Sequence, residues 1–148
     1  MKQEFVTNSP EETEDLAACL AEKLTGGEVL ALFGGMGMGK TAFTRGLAAG
    51  LQVAGEVASP TFALVNEYQG RLKIAHFDMY RVESWDDLYS TGFFDYLDSD
   101  CVLVIEWSEN IENALPDDAI RIEITAGESE QERKIAVTGW RGEPICCF

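Results

Sequence analysis

The chain has 148 residues, the length of a single domain, and 46% of them are hydrophobic, which is enough for one packed core. This composition excludes a largely disordered chain, and no apolar run approaches the roughly 20 residues of a membrane span. The net charge is −15 at pH 7, from 26 acidic and 11 basic residues. Because such a surface repels phosphate backbones and anionic lipids, we expect no direct DNA binding and no membrane association.

The acidic excess is concentrated in one part of the chain. Residues 82–120, called the base-free segment below, contain eleven acidic residues and no lysine or arginine. This segment is either an ordinary solvated acidic face or a docking surface for a basic protein partner.

The cysteines and the first residues bear on the cellular compartment. The four cysteines show no CxxC spacing, and residues 1–10 lack the basic start and apolar core of a signal peptide. We therefore expect reduced thiols and a cytoplasmic location.

The first elements in chain order are a helix, a strand and a second helix. Ser9 and Glu12 form a capping-box pattern around Pro10, which predicts a helix from Pro10 to a glycine pair at 26–27. Residues 28–33 predict a buried strand, and apolar residues spaced by four after Lys40 predict a helix that ends near Gly50. The glycine-rich residues between strand and helix predict a loop.

The remaining elements are mostly strands. Two runs, 63–68 and 72–77, flank a glycine turn and predict a β-hairpin. Residues 82–100 predict helical and loop structure with apolar anchors, and 101–105 predict another buried strand. Residues 119–124 and 134–137 predict a closing pair of strands, and 139–148 a flexible C-terminal tail.

Residues 34–41 match the pattern G-x-x-x-x-G-K-[ST] at every fixed position, between the predicted strand and helix. Glycines allow successive backbone N–H groups to point at phosphate oxygens, and the following helix adds its positive N-terminal end. Lys40 is expected to contact the β and γ phosphates and Thr41 to enter the coordination shell of Mg²⁺. We therefore predict an α/β fold: one P-loop NTPase domain over residues 1–138, three-layer α/β/α with a mixed central sheet. The candidate nucleotide-binding residues are Gly34, Gly35, Met36, Gly37, Met38, Gly39, Lys40, Thr41, Ala42 and Trp107.

Two carboxylates follow predicted strands and compete as magnesium ligands. Asp78 follows the second strand of the hairpin, and Glu106 follows the run 101–105. The second run is longer and wholly apolar, which is typical of a central strand, so Glu106 is the first choice. Thr61 either closes over the γ-phosphate as a switch or lies in a simple proline turn. His76, the only histidine, is interpreted as a core residue, and Trp107 either stacks near the nucleotide or packs.

Some expected features are missing from the sequence, and their absence narrows the class of nucleotide enzyme. No Asn-Lys-x-Asp segment follows the P-loop, which favours ATP over GTP. The acceptor-binding and lid segments of a small-molecule kinase are not evident. No arginine stands out as a finger, although Arg45 and Arg81 are candidates.

Four motifs in order resemble the bacterial TsaE (YjeE) family: residues 34–41, 59–62 (S-P-T-F), 77–81 (F-D-x-Y-R) and 105–107 (I-E-W). The resemblance covers nearly the whole chain. It implies a small α/β P-loop domain that binds ATP or ADP with Mg²⁺ and hydrolyses ATP slowly.

The resemblance also implies roles and partners. Thr41 and Glu106 would attend the magnesium, Thr61 would be the switch residue, Asp78 would be needed for activity, and Trp107 would lie near the nucleotide. The family works with the TsaD and TsaB subunits, which modify adenosine 37 of tRNAs reading ANN codons, so tRNA is expected only as an indirect partner. Two alternatives stay open: a small P-loop kinase acting on a metabolite or protein, and a nucleotide-sensing module without useful hydrolysis.

Overall fold

The computed structural model describes residues 2–57, 65–141 and 143–145. In these ranges the chain forms one sheet and several short helices. The strands are β1 (Lys2–Thr7), β2 (Val29–Phe33), β3 (Val65–Tyr68), β4 (Ile74–Asp78), β5 (Val102–Glu106), β6 (Ile120–Ala126) and β7 (Arg133–Thr138). The helices are α1 (Pro10–Ala21), α2 (Lys40–Gly50), α3 (Trp85–Ser90) and α4 (Phe93–Leu97), with 3₁₀ turns over Ser108–Ala114.

The sheet has the strand order β1-β7-β6-β2-β5-β4-β3. Its centre is parallel, because β2 pairs in parallel with both β5 and β6, and β5 with β4. Antiparallel pairs complete both edges, β7 and β1 on one side and β3 on the other. The carboxyl ends of β2, β4 and β5 therefore meet at one edge of the sheet, where α/β proteins of this kind bind ligands.

Helices cover both faces of the sheet. On one face α1 and α2 pack over a core that includes Val102 and Val104. On the other face Leu103 and Ile105 join a second core with residues of α3, α4 and the 3₁₀ turns. Because successive side chains of a buried strand point to opposite faces, one apolar run supplies both cores. The predicted α/β fold with three layers and a mixed sheet is confirmed.

The helix α2 lies unusually close to α1. A Cβ atom at Gly46 would clash with the backbone carbonyl of Glu14, and one at Gly50 would lie 2.5 Å from the carbonyl oxygen of Ala18. Two glycines spaced by four residues therefore let the helix backbones approach. This contact fixes the direction in which the N-terminal end of α2 points.

The structure differs from the sequence-based predictions at both ends of the chain. Strand β1 was not predicted, although its side chains alternate between exposed and more buried positions. The predicted flexible tail 139–148 also differs, because Trp140 and Ile145 are only 5% and 3% exposed and belong to the core. The Ile145 N–H donates to Oε1 of Gln3 over 3.2 Å. Each terminal segment is thus held partly by the other, a long-range contact that local patterns do not reveal.

Two further observations concern the cysteines and the apolar character of the helices. Cys19 in α1 is disulfide-bonded, whereas the cysteine spacing predicted reduced thiols, and Cys101 is a buried free thiol. In the described part of the chain, no helix combines the length and the apolar character needed to cross a membrane.

Candidate nucleotide-binding site

The loop between β2 and α2 has the backbone shape of a phosphate-binding loop. Gly39, the residue before the first turn of α2, has φ +104°, a left-handed conformation that side chains rarely adopt. A Cβ atom at Gly34 would lie only 2.7 Å from the carbonyl oxygen of Ile124 in β6. At Gly35, Gly37 and Gly39, by contrast, no heavy atom of the described residues lies within 4 Å of the Cβ position. The loop is therefore pinned to the sheet at its start and open above its later glycines.

Lys40, the first residue of α2, is almost fully buried against this loop. Its Nζ donates to the carbonyl oxygen of Gly34 over 2.7 Å and lies 3.7 Å from the centre of the Trp107 ring. Burial lowers the pKa of Lys40, while Glu109, Glu106 and Asp78 act in the opposite direction through their charges. The ammonium is thus positioned between the loop and the acidic edge of the sheet.

The two predicted carboxylates are neighbours at that edge. Asp78 and Glu106 are register partners at the ends of the parallel strands β4 and β5, and the Met79 N–H donates to the Glu106 carbonyl oxygen over 3.0 Å. Glu106 is 5% exposed. Asp78 is half-buried, and its Oδ1 accepts from the Tyr80 N–H over 2.9 Å. The structure therefore brings together both carboxylates and Lys40.

His76 is a fully buried core residue, in line with its sequence-based interpretation, but it is also connected to the site. Its Nε2 lies 2.5 Å from Oε2 of Glu106. A buried glutamate is rare unless it is paired, and this contact supplies the pairing.

Trp107 turns the chain sharply just after Glu106. Its φ of +59° is uncommon for a bulky residue, and such backbone outliers cluster at functional sites. The turn places its ring beneath the Lys40 ammonium and 4.9 Å from the Tyr80 ring.

Two residues at the site were missed by sequence reasoning. Oε2 of Glu109 accepts from the Gly34 N–H over 3.1 Å, so this carboxylate connects the 3₁₀ turns to the start of the P-loop. Arg133 at the start of β7 donates from Nε to the Met38 carbonyl oxygen over 3.2 Å. The sequence offered one weak indication for Glu109, which is a carboxylate three residues after Glu106. It offered no indication for Arg133.

A cleft of about 530 Å³ opens over the loop, a volume within the range of small-molecule sites. Most of the predicted nucleotide-binding residues line it, together with Glu106 and two arginines. Asp78, Arg81, Gly34 and Gly35 do not line it. The predicted switch residue Thr61, with the rest of 59–62, lies outside the described residues. The lining residues include Thr13, Met36, Gly37, Met38, Gly39, Lys40, Thr41, Ala42, Arg45, Glu106, Trp107 and Arg133.

The chemistry of the cleft fits magnesium held jointly with a nucleotide. Within the described ranges, no three His, Cys, Asp or Glu residues come together as a metal cage. Magnesium at nucleotide sites is usually held by one or two carboxylates together with phosphate oxygens and water. Thr41 and Glu106 both line the cleft and supply the hydroxyl and carboxylate oxygens that such a site needs.

Comparisons with known proteins agree on one family. The family model described as "Threonylcarbamoyl adenosine biosynthesis protein TsaE" matches residues 7–135. The tRNA threonylcarbamoyladenosine biosynthesis protein TsaE of Bacillus subtilis is 40% identical over 99% of this chain and 93% of its own length. The protein of the same name from Aquifex aeolicus is 37% identical over 91% of this chain and 95% of its own length.

A comparison with solved structures agrees with the sequence comparisons. The crystal structure of Bacillus subtilis YdiB matches with a TM-score of 0.74 and 33% identity, over 93% of this chain and 84% of that one. The family match covers the strand-loop-helix unit with Lys40 and both strand-end carboxylates. The chain therefore belongs to the TsaE family.

Proposed function

We propose that the chain is a Mg²⁺-dependent ATP-binding protein with slow ATPase activity that acts with TsaD and TsaB. The process it serves is threonylcarbamoyl modification of adenosine 37 in tRNAs reading ANN codons. One observation carries the proposal: in a chain of the TsaE family, a P-loop lysine meets two strand-end carboxylates at one edge of the sheet. The curated relatives carry the name of this biosynthesis. A cytoplasmic location is part of this proposal, because the proposed process acts on tRNA.

The residues divide the work of phosphoryl transfer to water. The P-loop N–H groups and the N-terminal end of α2 bind the phosphates, with Lys40 on the β and γ groups. Thr41 and Glu106 would hold Mg²⁺, which would offset the negative charge of the phosphates. Asp78 orients water beside Glu106, and Trp107 borders the nucleotide. Thr61 is the proposed switch.

We expect slow turnover because the two arginines that line the cleft, Arg45 and Arg133, are engaged in other contacts. Arg45 lines the cleft, but its Nε lies 3.5 Å from Oε1 of Glu14, and Arg133 donates to the P-loop carbonyl of Met38. Both guanidinium groups thus have structural contacts. An arginine finger raises phosphoryl-transfer rates by about 10³–10⁵, so a partner that supplies or frees such a group would set the rate.

The experiment is a comparison of ATP hydrolysis and tRNA modification with and without TsaD and TsaB. Alone, the chain is expected to turn over at or below about 10⁻² s⁻¹, as P-loop proteins do when no finger is supplied in trans. Modification is expected only when all three proteins, tRNA and a threonylcarbamoyl donor are present. Radiolabelled ATP and nucleoside chromatography measure the two outputs.

Three results would contradict the proposal. Fast hydrolysis by the chain alone, unchanged by TsaD and TsaB, would remove the partner dependence. Transfer of the labelled phosphate to a metabolite or protein instead of water would favour the P-loop kinase. ATP binding with no phosphate release, alone or in the complex, would favour the nucleotide-sensing module.

The base-free segment carries an exposed surface suited to a basic protein partner. Trp85 and Tyr89 of α3 are 54% and 65% exposed, and both rings contact the Phe94 ring of α4, at centroid distances of 6.3 and 4.8 Å. Asp86 lies on the same short helix and is exposed. Exposed aromatic rings anchor many interfaces, and lysine or arginine packs well over them. We therefore assign this aromatic and acidic surface, made by Trp85, Asp86, Tyr89 and Phe94, to a basic segment of TsaD or TsaB.

Charge reversal tests the docking surface. Asp86→Lys is expected to slow association with the TsaD–TsaB pair several-fold, most clearly at low salt, because interface charges act mainly on the association rate. Asp87 stays unchanged because its carboxylate accepts from the Glu83 N–H over 3.1 Å. Asp117→Lys is the matched control, since Asp117 is also exposed in the base-free segment but outside the surface. Association rates are measured by surface plasmon resonance. Equal rates for both variants would show that the base-free segment is an ordinary solvated acidic face and not a docking surface.

A further inference from the structure

His76 is connected to the site by a single polar contact. It lies in the middle of β4, between Asn66 of β3 and Val104 of β5 in the sheet register. Its side chain is fully buried, and Nε2 lies 2.5 Å from Oε2 of Glu106. Among the described residues, Nδ1 has no hydrogen-bond partner. The orientation of the ring is therefore tied to the Glu106 carboxylate.

The contact joins one ring nitrogen to one carboxylate oxygen. A carboxylate that binds a metal acts only as an acceptor, so in the arrangement inferred below Nε2 is the donor to Oε2. His76 contacts Oε2, and the Glu106 side chain also lines the cleft, so its second carboxylate oxygen, Oε1, is the one available to a ligand there.

We infer that His76 is a positioning residue, which holds the Glu106 carboxylate in one orientation so that it can bind magnesium or its water. This inference rests on the proposed magnesium role of Glu106. Carboxylates that bind metals are commonly held by a second hydrogen bond of this kind, and loss of the outer partner typically costs 10- to 100-fold in metal affinity. A histidine that served only to fill space would not need to place Nε2 against Glu106, the one buried glutamate among the described residues.

Two substitutions separate positioning from packing. His76→Gln keeps an N–H donor at the same distance from the backbone, whereas His76→Leu removes the donor and keeps an apolar side chain. In titrations of the ADP-bound protein, His76→Leu is expected to weaken Mg²⁺ binding about 10- to 100-fold. His76→Gln is expected to recover most of that affinity. Binding of ADP without Mg²⁺ should be similar in all three proteins, because His76 does not line the cleft.

A spectroscopic measurement reports on the contact without nucleotide or turnover. The chain has one histidine, so ¹⁵N labelling gives one pair of ring nitrogen signals. The wild type is expected to show a proton on Nε2, and that proton should be protected from exchange by its contact with Glu106. Glu106→Ala should remove the protection.

The outcomes distinguish this inference from the proposed function. Equal Mg²⁺ affinity in the wild type, His76→Leu and His76→Gln would overturn the inference and leave His76 a packing residue, while the ATPase proposal would stand. A ring with no proton on Nε2, or ring signals that do not change in Glu106→Ala, would show that the contact is absent and would overturn the inference. If ADP binding by the wild type does not depend on Mg²⁺, the proposed Mg²⁺-dependent function is wrong. The ring nitrogen signals would still show whether His76 contacts Glu106. Thermal unfolding of each variant identifies any loss of folding.

Discussion

Replacement of Glu106 by glutamine is expected to slow phosphate release by about 100- to 1,000-fold, while ATP still binds. Loss of one preorganised charged group at a reacting centre typically costs this much in rate. Glutamine keeps the shape of the side chain and can still accept from Nε2 of His76, which lies 2.5 Å from the present carboxylate. The P-loop and Lys40, which we propose bind the phosphates, are left unchanged. Single-turnover hydrolysis, with nucleotide affinity measured in parallel, separates the two effects.

Glu112→Gln is the matched control for this prediction. Glu112 is an exposed carboxylate in the 3₁₀ turns that follow β5, paired with Arg121 at 3.6 Å near the surface. Surface pairs of this kind contribute little, so this variant is expected to hydrolyse ATP like the wild type. If Glu106→Gln and Glu112→Gln release phosphate equally slowly, Glu106 has no part in hydrolysis. In that case Asp78, its partner in the register of β4 and β5, becomes the candidate magnesium ligand.

The parts of the site that follow one another along the chain could be predicted from the sequence. The strand, glycine loop and helix that hold Lys40 are contiguous, and each has a local pattern that is independent of the rest of the fold. Asp78 and Glu106 were also recognised from the sequence as acids that end candidate strands, but their proximity comes from the parallel pairing of β4 with β5, which brings the carboxyl ends of both strands to one edge.

The contacts that hold the site together could not be predicted in this way. The Gly34 N–H and the Glu109 carboxylate are 75 positions apart, and Arg133 and Met38 are 95 apart. No local pattern encodes such pairs, because each depends on how the strands are ordered in the sheet. His76 shows the same limit: its burial was predicted from its place in a strand, but its partner depends on the pairing of β4 with β5.

The same reasoning explains the terminal segments. Strand β1 and residues 140–145 contain few apolar residues, so neither segment looks like part of a core when considered alone. Gln3 and Ile145 exchange hydrogen bonds, and Trp140 and Ile145 reach the core beside α1 and α2. Each segment is ordered by a surface that exists only after the rest of the domain has folded.

Replacement of Lys40 by alanine is expected to weaken ATP binding by about 10- to 100-fold, because hydrogen bonds to charged groups contribute about 1.5–3 kcal/mol each. The folded protein should lose little stability. Burial of the ammonium lowers the pKa of Lys40, which means that the folded structure disfavours the charged form through desolvation. The variant gives up the contacts with the Gly34 carbonyl and the Trp107 ring, but it also removes that desolvation cost.

The control for Lys40→Ala is Lys23→Ala, since Lys23 is exposed just beyond α1 and does not line the cleft. Isothermal titration with ATP measures affinity, and reconstitution with TsaD, TsaB and tRNA measures modification. Lys40→Ala is expected to form the complex and yet fail to support modification, because the proposed docking surface lies around the exposed Trp85 and Tyr89, whereas the proposed turnover needs the phosphate site. Normal modification by Lys40→Ala would show that nucleotide binding at this loop is dispensable. Loss of complex formation would instead place the P-loop in the docking interface and overturn the separation of the two surfaces.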